Sequence, residues 1–144
     1  MVIGIIGENC AGKSTVADTL ARLIGAEVIT GKDWLRLAKS EGEAASLFRE
    51  KLAAAMTGAH IIYVISESEH IGFLPHGSVR VLVTASLDTI KARFAARMRG
   101  NLPKPVADML ERKHGMFDAG EYDLRVVSPD DDTDEICRRI AEIV

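Results

Sequence analysis

Apolar, β-branched runs recur along this chain, and segments with helical spacing separate them. The runs are VIGII (2–6), AEVIT (26–30), HIIYVIS (60–66), VRVLVTA (79–85) and YDLRVV (122–127). Their length and residue types predict buried strands. Val16, Ala17, Leu20, Leu23 and Ile24 fall on one helical face and predict a helix from Lys13 to about Ile24. Residues 34–58 predict a helix broken near Glu41-Gly42. SLDTIKARFAARMRG (86–100) predicts another with Ser86 as N-cap, and PVADMLERKHG (105–115) a further one with Pro105 at its first position and Gly115 as the stop. DDDTDEICRRIAEIV (130–144) predicts a closing helix, acidic at its start with Arg138 and Arg139 further on, as the helix dipole prefers. Strand alternating with helix predicts an α/β fold in three layers, α/β/α, around a five-stranded parallel sheet. Ligands on such sheets bind at the carboxyl ends of the strands.

Composition narrows the class without changing this picture. A chain of 144 residues with 47% hydrophobic and 27% charged residues predicts a single domain, 1–144, with its own core. A net charge of −3 gives no reason to expect a nucleic-acid surface. No apolar run approaches membrane-spanning length, and the first residues lack the basic start of a secretory signal, so the expected location is cytoplasmic. The two cysteines, Cys10 and Cys137, are far apart and fit no metal-ligand spacing.

The chemistry begins at GENCAGKST, Gly7 to Thr15. It fits the phosphate-loop pattern G-x-x-x-x-G-K-[ST], with Gly7, Gly12, Lys13 and Ser14 in the fixed places, and it lies between a predicted strand and a predicted helix. Glycines let the backbone turn its N–H groups towards phosphate oxygens, and the helix start adds unpaired N–H groups and a positive dipole end. Asn9, Cys10, Ala11, Gly12 and Thr15 would line the nucleotide along with Gly7. Lys13 would reach the β- and γ-phosphates and the Ser14 hydroxyl would sit on Mg²⁺. Cys10 is read as a small filler at a variable loop position in preference to a reactive thiol.

Three other stretches lie at predicted strand ends or in lid-like segments: TGKDWLR (30–36), SESE (66–69) and a basic window. From Thr89 to Ala107 the window holds Lys91, Arg93, Arg97, Arg99 and Lys104 and no acid. Arg93 and Arg97 share a helix face. A solvated face usually mixes signs, so the window reads as phosphate contact. The glycine and prolines of RGNLPKP suit a mobile flap, placing a small lid around 97–112.

Taken together these residues resemble the P-loop nucleoside and nucleotide kinases, adenylate and cytidylate kinases in particular, in a short and divergent form. TGKDWLRLAKSEG looks like the adenylate-kinase stretch T-G-D-x-L-R-x-A with Lys32 as an extra residue, which implies acceptor contacts for Thr30 and Arg36. Asp33 also matches the D-x-L-R form of small-molecule and polynucleotide 5′-hydroxyl kinases, where the acid is the base. RFAAR keeps the lid spacing R-x-x-x-R, which implies that Arg93 packs on adenine and Arg97 reaches the phosphates; Arg99 and Arg112 are further lid candidates. VVSPDD implies adenine contacts for Ser128 and Pro129. The family's D-G-F-P-R stretch is missing, GFLP (72–75) echoing it late and without the arginine, and Glu67 is the acid nearest a magnesium-side role. The resemblance implies a P-loop NTPase fold and transfer of the ATP γ-phosphoryl, with Mg²⁺, to a small acceptor such as a nucleoside monophosphate. A hydroxyl acceptor using Asp33 as base and a regulatory NTPase without an acceptor are the alternatives.

Overall fold

A computed structural model describes residues 1–128 and 131–144. Five strands, β1 (Val2–Ile6), β2 (Glu27–Thr30), β3 (Ile61–Ile65), β4 (Val79–Thr84) and β5 (Leu124–Val127), form one parallel sheet in the order β2-β3-β1-β4-β5. Ile3 pairs with Ile62 on one side and Val79 on the other, which fixes β1 at the centre. All five residues of β1 and all five of β3 are buried, as strands covered on both faces require. The edge strands β2 and β5 bury one residue each.

Side chains alternate between two cores. Ile3, Ile5, Ile62, Val64, Val81 and Val83 pack under helices α1 (Lys13–Ile24) and α5 (Thr133–Ile143). Val2, Ile6, Tyr63, Ile65 and Leu82 face the opposite way, onto Phe48 and Leu52 of α2 (Glu41–Ala55) and onto Trp34. These two cores make the three layers. A third cluster joins α3 (Leu87–Arg97) and α4 (Lys104–Lys113) to the loop after β1 through Cys10, Ala85, Ile90 and Leu110.

Ser86 caps α3 by accepting a hydrogen bond from the Thr89 N–H at 3.1 Å, as expected. Two boundaries differ from the sequence expectation. Residues 34–58 are not one helix: Asp33–Leu37 form a 3₁₀ turn, Ala38 is extended, and α2 starts at Glu41 because Ser40 accepts from the Glu43 N–H at 3.2 Å. The break thus precedes Glu41-Gly42. Helix α4 starts one residue early, at Lys104 with Pro103 as its cap, which moves Pro105 to the second position. A second 3₁₀ turn, Ser68–Phe73, follows β3.

Candidate functional site

The strand order reverses at β1, so the crevice at its carboxyl end is where the fold admits a ligand. The loop there is held by backbone geometry. Gly7 donates its N–H to the Ile65 carbonyl at 3.1 Å. A Cβ on Gly7 would stand 2.3 Å from the Val83 carbonyl oxygen, so no other residue fits. Cys10 and Gly12 both take positive φ, 64° and 106°, which coils the loop and turns successive N–H groups to one side. Among the described residues no side chain caps the start of α1. Its first N–H groups are therefore free of a side-chain competitor for an anion.

The cleft has a volume of about 460 Å³, within the range of small-ligand sites. Asn9, Cys10, Gly12, Lys13, Ser14 and Thr15 line it from the loop, and Arg93 and Arg97 from α3. Thr30, the last residue of β2, and Ser66, just after β3, close one end; Ser128, Asp131 and Thr133 close the other. Lys13 is buried, and its Nζ donates to the Glu8 carbonyl at 2.6 Å. Burial lowers its pKa to about 8; the Arg97 guanidinium acts in the same direction, and Cys10 and Glu8 oppose it. Arg93 spans the loops after β1 and β5, donating to the Cys10 carbonyl at 3.0 Å and to Ser128 Oγ at 2.8 Å.

Several residues singled out from the sequence are not in this cleft. Arg36 is exposed on the 3₁₀ turn and lines a separate shallow depression with Asp33, Trp34, Phe48 and Lys51. The turn is the reason: Trp34, not Arg36, points inward and is buried. Asp33 keeps one link to the cleft rim, since its carboxylate accepts from the Thr30 N–H at 3.4 Å. Arg99, at φ 59°, and Arg112 also lie off the cleft; Arg112 lines a depression with Lys104 and Asp108 and bonds the Asp108 carbonyl. Glu67 turns into a neighbouring depression with Glu8, Asn9 and Lys113, while the adjacent Ser66 faces the cleft. Pro129 lies outside the described residues. Lys91, in the basic window, pairs with Glu111 of α4, so part of that window is neutralised by the next helix.

The structure adds residues that sequence reasoning missed. Glu8 is buried inside the loop, and its Oε1 lies 3.1 Å from His114 Nδ1 at the end of α4. An acid within a phosphate loop was a visible signal; its partner 106 residues away was not. Asp131 and Thr133 lie on the cleft wall next to a stretch read only for Ser128 and Pro129.

Among the described residues no helix is long and apolar enough to cross a membrane. No family model matches the chain, and no curated protein matches it either. Solved structures do. An uncharacterized protein from Eubacterium ventriosum ATCC 27560 superposes with a TM-score of 0.70 at 17% identity, covering 99% of this chain and 97% of that one. A shikimate kinase from Acinetobacter baumannii in complex with shikimate gives 0.63 at 15% identity, covering 99% and 91%. A gluconokinase from Sinorhizobium meliloti 1021 gives 0.63 at 17% identity, covering 99% and 94%.

Proposed function

We propose that this chain, whose fold is that of the P-loop kinases, transfers the γ-phosphoryl of ATP to a hydroxyl group of a small metabolite. The observation that carries this reading is the cleft itself. A tightly coiled loop, an uncapped helix start, a buried lysine and two arginines converge on one concave space. That donor set fits a triphosphate, because several anionic oxygens need several fixed donors at once.

Phosphoryl transfer asks a protein for positioning and charge stabilisation more than for covalent chemistry. Loop N–H groups orient the phosphates. Lys13 leaves the Glu8 carbonyl and meets the β- and γ-oxygens. Arg97, beside Lys13 on α3, stabilises charge on the transferring group. Arg93 holds the loop after β5 against the phosphate loop and thereby shapes the base end of the cleft. Ser14 lines the cleft at the first turn of α1 and is the residue suited to hold Mg²⁺, which supplies charge neutralisation between the phosphates when bound. Closure of the connection between α3 and α4 would exclude water.

The hydroxyl acceptor is favoured over a nucleoside monophosphate for a specific reason. Arg36, the residue that the adenylate-kinase resemblance assigns to an acceptor phosphate, lies outside the cleft, whereas Asp33 is hydrogen-bonded to the Thr30 N–H at its rim. A short movement of Asp33 would bring a general base to an acceptor hydroxyl beside Thr30 and Ser66. Among the solved structures similar in fold are a shikimate kinase and a gluconokinase, whose named acceptors carry hydroxyl groups. The test is a turnover screen of ATP against sugar acids, cyclic hydroxy acids, nucleosides and nucleoside monophosphates. Acceptor-dependent ADP release with hydroxyl compounds is expected. Preference for monophosphates would restore the other acceptor class, and slow hydrolysis indifferent to every acceptor would point to a regulatory NTPase.

A further inference from the structure

The turn after β3 gathers three side chains with metal-ligand chemistry. One ligand atom from each of Glu67, Glu69 and His70 lies within 4.8 Å of the others. His70 Nε2 is 3.9 Å from Glu67 Oε2 and 4.0 Å from Glu69 Oε1.

The imidazole is the unusual member. Its side chain is 6% exposed, whereas the two carboxylates are 48% and 71% exposed. Its ring packs among Trp34, Tyr63 and Phe73, with centroids 6.4, 6.4 and 6.1 Å away. Nδ1 is buried with no hydrogen-bond partner among the described residues. Nε2 faces the two carboxylates at distances too long for a hydrogen bond. A buried polar ring left without partners is costly, and two carboxylates held together repel. Lys32 and Lys113 lie near Glu67, but among the described residues neither forms an ion pair with it. A cation at the common point of the three groups would give Nε2 a partner and offset the repulsion between the carboxylates, while Nδ1, on another side of the ring, would stay as it is.

We propose that Glu67, Glu69 and His70 Nε2 form a binding site for a divalent transition metal. One imidazole and two carboxylates suit a borderline ion such as Zn²⁺, Co²⁺, Ni²⁺ or Mn²⁺; Mg²⁺ and Ca²⁺ prefer all-oxygen shells. Ligand atoms around such an ion, each about 2.0–2.2 Å from it, stand roughly 3–3.5 Å apart. The present separations are somewhat wider, and the groups that must close in are on exposed, unpacked glutamates while the histidine is already fixed. Three protein ligands leave a coordination position open. Glu67 shares its depression with Glu8 and Asn9 of the phosphate loop, so the bound ion would sit beside that loop, apart from the Ser14 position. This site stands independently of the phosphoryl-transfer reading.

Trp34 is the chain's one tryptophan and lies edge-on to His70, so its fluorescence reports on the site without any activity measurement. The chain, freed of metal by chelator and desalted, is titrated with Co²⁺. Saturable quenching at one equivalent is expected, reversed by Zn²⁺ and not produced by Mg²⁺ at the same concentration. Glu67→Gln with Glu69→Gln should weaken Co²⁺ at least tenfold, and because both carboxylates are exposed this pair carries the test if His70→Gln fails to fold. The proposal is overturned if Co²⁺ does not quench, or if it quenches the double variant with unchanged affinity. The latter result would place the ion elsewhere, for instance at the Met1 amine and His60 Nδ1, which lie 3.2 Å apart.

Discussion

The ammonium of Lys13 is held by the carbonyl of Glu8, five residues back in the same loop, at 2.6 Å. This contact keeps a buried cation solvated by the backbone until a phosphate replaces the carbonyl. Lys13→Met should therefore abolish acceptor-dependent turnover while leaving the fold intact, because the charge it supplies grows in importance during transfer. Wild-type turnover in that variant would remove the phosphate-loop assignment.

The same burial makes a stability prediction with a definite sign. Lys13 has a pKa of about 8 in the folded chain against an ordinary 10.5. Below pH 8 both states are protonated, and the folded chain carries the full cost of the buried charge, about 3 kcal/mol. Between pH 8 and 10.5 the unfolded chain binds more protons, so stability rises with pH as that cost disappears. Relative to wild type, Lys13→Met should have the higher Tm at pH 7, and its advantage should shrink from pH 8 to pH 10.5. Paired thermal melts across this window check it; a constant difference would mean that the lysine is not desolvated.

Arg93 joins two loops that are separate in sequence. Arg93→Ala should raise the KM for ATP roughly tenfold to a hundredfold, on the order of 1.5–3 kcal/mol for a lost charge-assisted bond, with a smaller change in kcat. Ser128→Ala should have a milder effect of the same kind, since the Cys10 carbonyl still holds the guanidinium. Steady-state kinetics on both variants decide this. Unchanged ATP kinetics in Arg93→Ala would return α3 to an ordinary solvated face.

Gly7→Ala should be strongly destabilising, by at least about 2 kcal/mol, because the new Cβ meets a carbonyl of the central sheet and not a side chain that can move. Chemical denaturation measures it directly. A loss of activity without a loss of stability would show that the loop relaxes away from β4.

Asp33 and Arg36 separate the acceptor classes. Asp33→Asn should lower kcat by about 10²- to 10⁴-fold if the acceptor is a hydroxyl, as loss of a general base does. Arg36→Ala should leave acceptor KM nearly unchanged, since Arg36 lies outside the cleft. The reverse pattern would revive a phosphate-bearing acceptor.

Local spacing by itself determined the five strands, the phosphate loop and the start of α1. Each rests on periodicity or on backbone requirements confined to a few adjacent residues: a buried run of Val and Ile, glycines at the tight turns, a lysine at the helix start. Ser86 is of the same kind, since a cap bonds within three residues. Tertiary structure alone decided which side chains meet. TGKDWLR shows why: its residue types suit a cleft, but the 3₁₀ turn buries Trp34 under the sheet and leaves Arg36 outside. Both preferences favour this arrangement: Trp34 is stabilised by leaving water, and the Arg36 guanidinium keeps its hydration by staying outside. Arg93 found Ser128 across 35 residues and Glu8 found His114 across 106. Such pairs depend on strand order and helix packing, which no local pattern encodes. No local pattern marks His70; only the packing of Trp34, Tyr63 and Phe73 around it leaves its Nε2 facing two carboxylates.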